Sequence, residues 1–89
     1  MPENTDTLTI EQIRDWFTER VAFYLERPQS EVDPDAKLVE IGLDSVYALT
    51  ICGDIEDHFG FDVEPTVTWD HPTVNAMARY LHTEITAGR

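Results

Sequence analysis

Apolar residues in this chain recur at three- and four-residue steps in three separate stretches, and that spacing selects an all-helical fold. In the first stretch Ile10, Ile13, Phe17, Val21 and Tyr24 form one stripe, with Trp16 and Leu25 at its margins. Leu49, Cys52, Ile55 and Phe59 make the second stripe, and Val74, Met77, Ala78, Leu81 and Ile85 the third. A spacing of this kind lines up side chains along one side of a helix and leaves the other side to polar residues. The punctuation agrees. Thr9 can cap the first helix, with Gln12 as the reciprocal acceptor of a capping box, and Pro28 is expected to stop it, giving a helix near residues 10–26. The second is predicted from Ser45 to Phe59, with Gly60 suited to a left-handed C-terminal turn. Thr73 is the expected N-cap of the last, which ends near Thr86 before Gly88. The run Thr66-Val67-Thr68-Trp69 leaves room for at most one helical turn before Asp70-His71-Pro72.

Residues 28–44 carry two prolines and no sustained period, so they form a connection longer than bundled helices usually need. Val32, Leu38, Ile41 and Leu43 punctuate it, and they predict an ordered loop that lies across the helix faces and covers their core. Gly53 sits inside the second helix, where glycine costs about 1 kcal/mol against alanine; either something packs close to it or the helix is locally soft. The expected architecture is a small four-helix bundle, with three main helices, one short one and a long first loop. It forms a single domain over residues 1–89, ordered from about 8 to 86, with a flexible N-terminal segment and a loose tail.

A chain of 89 residues buries only about 60% of its unfolded surface, which leaves no room for a deep enzyme cleft. Eighteen acidic residues against six basic ones give a net charge of -12, which argues against nucleic acid or anionic lipid as a partner. A basic protein surface is the natural counterpart, and solubility alone is the other reading of the same charge. No apolar run approaches a membrane span, and the polar, acidic start lacks the pattern of a secretory signal, so the expected compartment is the cytoplasm. The one cysteine, Cys52, has no internal partner and lies on an apolar stripe, as a small core residue does.

One hydroxyl stands out. Ser45 follows Asp44 directly at a predicted helix start. As an enzyme nucleophile it needs a base within hydrogen-bond reach, and His58 lies about 20 Å along the same helix at 1.5 Å per residue. His71 and His82 belong to another segment, with no acid at a telling spacing. Metal chemistry fails on spacing too: Asp33, Asp35 and Asp44 match positions of a calcium loop, but Lys37 and Leu38 occupy places that need an oxygen ligand and a glycine. The histidines and Cys52 show no zinc spacing. Trp16 and Trp69 are expected at the core or the bundle edge. If instead Asp44 is the N-cap, its carboxylate takes the first-turn N–H groups and the Ser45 hydroxyl stays free. The positive end of the helix dipole then favours a phosphate attached there.

The segments "DPDAKLVEIGLDSV" and "TWDHPTVNAMARYL" resemble the acyl carrier protein family, the phosphopantetheine-binding carriers of fatty acid, polyketide and related biosynthesis. The resemblance runs from about Ile10 to Leu81 and centres on Gly42-Leu43-Asp44-Ser45; "WDHPT" is similar to the "FDHPT" of polyketide-type carriers. It implies a non-catalytic carrier. Ser45 is then the attachment site of 4'-phosphopantetheine, supplied from coenzyme A with Mg²⁺ by a phosphopantetheinyl transferase, and the arm's thiol bears acyl groups as thioesters. Asp44 is implied to help position the metal during transfer, Gly42 to allow a tight turn and Leu43 to anchor the loop. Implied partners are that transferase, an acyl-loading ligase or acyltransferase, and a ketosynthase or other acyl-using synthase. Leu43-Asp44 before the serine favours an acyl carrier over a peptidyl carrier, where Gly-Asp-Ser is more usual; aryl or aminoacyl loading in a nonribosomal peptide pathway is the alternative. The acidic middle of the second helix resembles stand-alone carriers, and the initiator methionine and short length fit a free-standing monomer.

Val46, Tyr47, Thr50, Asp54 and Asp57 are predicted to face away from the core on the second helix and to meet partners through a few apolar contacts and charge steering. A second expectation is that the arm folds back along a groove near Ile51, Ile55 and Val67. Two rivals stand against the carrier. An acidic interaction module without a prosthetic group would work unchanged with Ser45→Ala, and a small hydrolase would turn over a thioester unaided.

Overall fold

A computed structural model describes residues 9–87, in which four α-helices and two short 3₁₀ turns follow one another. The expected flexible ends, through Thr7 and from Gly88, lie outside the described residues. Helix α1 spans Ile10–Leu25 and opens with the expected capping box: the Gln12 amide donates to the Thr9 hydroxyl at 3.1 Å, and the Thr9 amide donates to the Gln12 side chain at 2.9 Å. Its end is set two residues before Pro28. Glu26 adopts a left-handed conformation (φ 57°), so the Arg27 amide reaches Ala22 O at 3.0 Å and the Glu26 amide reaches Phe23 O at 3.3 Å. Those paired bonds close the helix by themselves.

Helix α2 spans Ser45–Phe59 and ends at Gly60 in the left-handed region (φ 83°); α3 is the single turn Val67–Asp70, and α4 spans Val74–Ala87. Thr73 caps α4, its hydroxyl accepting from the Ala76 amide at 3.0 Å. All five residues of the α4 stripe are buried. Helix α1 packs chiefly on α4 and also meets α2. Phe17, Val21, Ile51, Ile55, Val74 and Leu81 fill the centre with no measurable exposure, and Cys52 is buried beside them.

The long connection is ordered. Within it Gln29–Glu31 and Leu38–Ile41 form 3₁₀ turns, where the sequence pattern predicts only loop. Val32, Leu38 and Leu43 are buried and Ile41 half-buried, so these apolar residues do cover the core. The loop is tied to the start of α4: the Leu38 amide donates to Pro72 O at 2.7 Å, the Asn75 amide to Pro34 O at 3.0 Å, and the Asn75 side chain to the Asp35 carboxylate at 2.7 Å.

Two placements on α2 need correcting. The apolar period puts Leu49 in the core stripe, but it is 56% exposed, while Ala48 and Ile51 are buried. The helix begins after Asp44 with its buried side through Ala48, Ile51, Ile55 and Phe59, and Leu49 lies about 100° of helical rotation from Ala48. Tyr47 and Asp54, predicted to face away from the core, instead turn toward α1 and are partly buried. Trp69, expected at the core or bundle edge, is 57% exposed. Trp16 does sit at the edge, stacked on His58. Gly53 has open space where a Cβ would stand, so close packing is not what keeps it a glycine.

Candidate functional site

The site begins in the turn that brings the first loop into α2. The 3₁₀ turn ends at Ile41, and Gly42 reverses the chain at φ 116°, a conformation that a side chain strains. A Cβ there would also meet Leu25 Cδ2 at 3.3 Å. The Leu43 amide donates to Leu38 O at 3.0 Å and its side chain is 2% exposed, so the turn is pinned to the core one residue before the helix cap. Asp44 is extended (φ -94°, ψ -176°) and caps α2: its Oδ1 accepts from the Tyr47 amide at 3.0 Å, and its carbonyl accepts from the Ala48 amide at 2.9 Å.

Ser45 is thereby the first helical residue. It is exposed, and among the described residues its hydroxyl has no hydrogen-bond partner. The amides of Ser45 and Val46 precede the first intrahelical bond and have no acceptor within the helix. A hydroxyl held this way, at the positive end of a fifteen-residue helix, suits an esterified phosphate: the oxygen is accessible, and dipole and free amides both favour the anion. The residues fit the prosthetic group that the sequence implies.

Two of the three histidines are otherwise engaged. His58 stacks on Trp16 with ring centroids 4.6 Å apart, and His71 stacks on Tyr80 at 4.4 Å. The Cys52 thiol is buried, 3.7 Å from Glu64 O, and its pKa is pushed up by burial first and by the nearby Glu56 carboxylate second. A thiol in that state is a poor nucleophile and a poor carrier of cargo.

Of the residues predicted to meet partners, Val46 (66% exposed), Thr50 and Asp57 project outward, and the Thr50 hydroxyl donates back to Val46 O at 3.0 Å. Leu49 joins them, and Trp69 on α3 is also exposed. Neither is among the residues that the sequence pattern places on the partner face. For Leu49 a signal exists, since counting the helix rotation from a cap at Asp44 separates it from Ala48. No local pattern marks Trp69.

Residues 15–81 match the family model described as "Phosphopantetheine attachment site". A phenolphthiocerol/phthiocerol polyketide synthase of Mycobacterium tuberculosis is 35% identical over 69 residues, 78% of this chain and 4% of that protein. The polyketide synthase PksL of Bacillus subtilis is also 35% identical, over 81 residues that make up 91% of this chain and 2% of that protein. The chain thus spans only a few per cent of the length of these relatives. Among solved structures, a free-standing peptidyl carrier protein from an uncharacterized secondary metabolic pathway of Acinetobacter baumannii superposes with a TM-score of 0.85 at 36% identity, covering 92% of this chain and 99% of that one.

Proposed function

The chain belongs to the phosphopantetheine-attachment family of carrier proteins, and from that premise we propose that Ser45 is the residue that receives the arm. The family carries 4'-phosphopantetheine covalently and is in general non-catalytic. When bound, the arm supplies a terminal thiol that holds acyl groups as thioesters. The chain's own residues present the acceptor: Gly42 turns the backbone, Leu43 anchors it, and Asp44 caps the helix so that the Ser45 hydroxyl is left for a visiting enzyme. The exposed, unbonded hydroxyl at the tip of α2 is the observation that supports this reading most. In the transfer the serine oxygen forms a phosphodiester and gives up its proton, the pyrophosphate bond of coenzyme A breaks, and the nucleotide half leaves.

The partners in this reading are a phosphopantetheinyl transferase, an acyl-loading ligase or acyltransferase, and a ketosynthase or other acyl-using synthase. Val46, Leu49 and Thr50, with Asp57 at the border, form the face of α2 that such enzymes meet. We place the domain at 1–89 and its work in the cytoplasm. No helix among the described residues is long and apolar enough to cross a membrane. The likeness to a peptidyl carrier supports aminoacyl loading as a second reading, whereas Leu43-Asp44 before the serine favours an acyl group.

A thiol assay tests the attachment site. The buried Cys52 reacts slowly with a disulfide reagent in the native protein, and treatment with coenzyme A, Mg²⁺ and a permissive transferase adds one fast-reacting thiol per chain. Ser45→Ala gains none. A fast thiol in treated Ser45→Ala, or none in the treated parent protein, contradicts the assignment.

A further inference from the structure

The facing sides of α1 and α2 leave an open cleft of about 340 Å³ that the presentation of Ser45 does not use. Trp16 and the exposed His58 line it, their rings stacked nearly parallel, 17° apart. Glu19 and Arg20 on α1 and Asp54 and Asp57 on α2 line it as well. Asp54 is already held, by Arg20 at 3.8 Å and by the Tyr24 hydroxyl. Glu19 and Asp57 are exposed, with no ion pair among the described residues. Three carboxylates therefore face one guanidinium. Beside the cleft Phe23 is 64% exposed, with Arg20 lying 5.0 Å from its ring centre. Trp16, Glu19, Arg20 and Phe23 stand at i, i+3, i+4 and i+7, on one face of α1.

We propose that this cleft is a second protein-docking surface, which meets the outward face of α2 at Asp57 and extends from there onto α1, and that its occupant is a basic segment inserting an arginine beside an apolar residue. A planar guanidinium can lie on the aromatic pair and donate to Glu19 and Asp57, which a compact ammonium matches less well. Phe23 then offers the neighbouring apolar side chain an exposed ring to pack against. The net charge of -12 draws such a segment in from a distance. An apolar face with neutral surroundings would not select a cation; here the carboxylates do.

The test is a low-salt NMR titration of the full chain with the blocked dipeptide acetyl-Arg-Leu-amide, with acetyl-citrulline-Leu-amide as the uncharged control. The cleft predicts saturable shifts at the Trp16 indole N–H and at the amides of Glu19, Asp57 and His58, which citrulline does not reproduce. Glu19→Gln with Asp57→Asn, both exposed and outside the core, should weaken binding roughly fivefold or more. Ser45→Ala should leave it unchanged, which separates this proposal from the attachment site. Non-saturating shifts spread over the acids of every helix, no shift at Trp16, or full binding by the double variant would each overturn it.

Discussion

The phenol of Tyr24 reaches from α1 to the carboxylate of Asp54 on α2, and Arg20 pairs with the same carboxylate. That hydrogen bond is the first cause, and burial the second, of a Tyr24 pKa raised above the ordinary phenol value of 10.0. The folded value lies above the unfolded one. The bond therefore stabilises the fold fully below about pH 10 and loses its effect as pH rises through the raised value. Tyr24→Phe should cost about 1 kcal/mol at neutral pH, below the range for a fully buried bond to a charged group because the pair is partly in water. In urea unfolding, the gap between the two proteins should hold through neutral and mildly alkaline pH and narrow only as pH rises past about 10; a gap that stays constant past that point contradicts this role for the bond. Sequence alone could not reveal this pair, since thirty residues separate its members and neither carries a local signal. The Asp44–Ser45 arrangement is different: a cap and the residue after it are neighbours, so four residues of sequence suffice to place them.

At the scale of the element, helix ends are legible and helix rotation less so. The Thr9–Gln12 box, the Thr73 cap and the Gly60 turn depend on residues within one turn of each other, and all three stand where the sequence puts them. The buried side of α2 depends on what packs against it, so Leu49 and Ala48 exchange places relative to the apolar period. The 3₁₀ turns in the loop hold no period of their own, and the bonds that fix the loop, from Leu38 to Pro72 and from Asn75 to Pro34 and Asp35, join residues far apart in sequence. Gly53 offers a clean check on α2. Since a Cβ there meets nothing within 4 Å and the residue lies mid-helix, Gly53→Ala should raise stability by about 1 kcal/mol, seen as a higher unfolding midpoint. A fall in the midpoint would mean that the position is strained in a way that the open surroundings do not show.

Across the whole molecule, repulsion outweighs pairing. Eighteen acidic side chains are set against six basic ones, and the ion pairs among the described residues are Arg20–Asp54 and the exposed Arg27–Glu31 at 3.5 Å. Screening should therefore relieve more repulsion than it weakens attraction, and the thermal midpoint should rise between about 0.01 and 0.15 M salt; a fall would indicate a pairing network that the described residues lack. The same surplus of negative charge suits brief encounters with basic partners, since steering speeds association more than it deepens binding. The most direct measurement is the intact mass of the parent protein and of Ser45→Ala after incubation with coenzyme A, Mg²⁺ and a permissive transferase. A single added phosphopantetheine is expected on the first and none on the second; an unmodified parent protein, or an equal gain on Ser45→Ala, would overturn the assignment of Ser45.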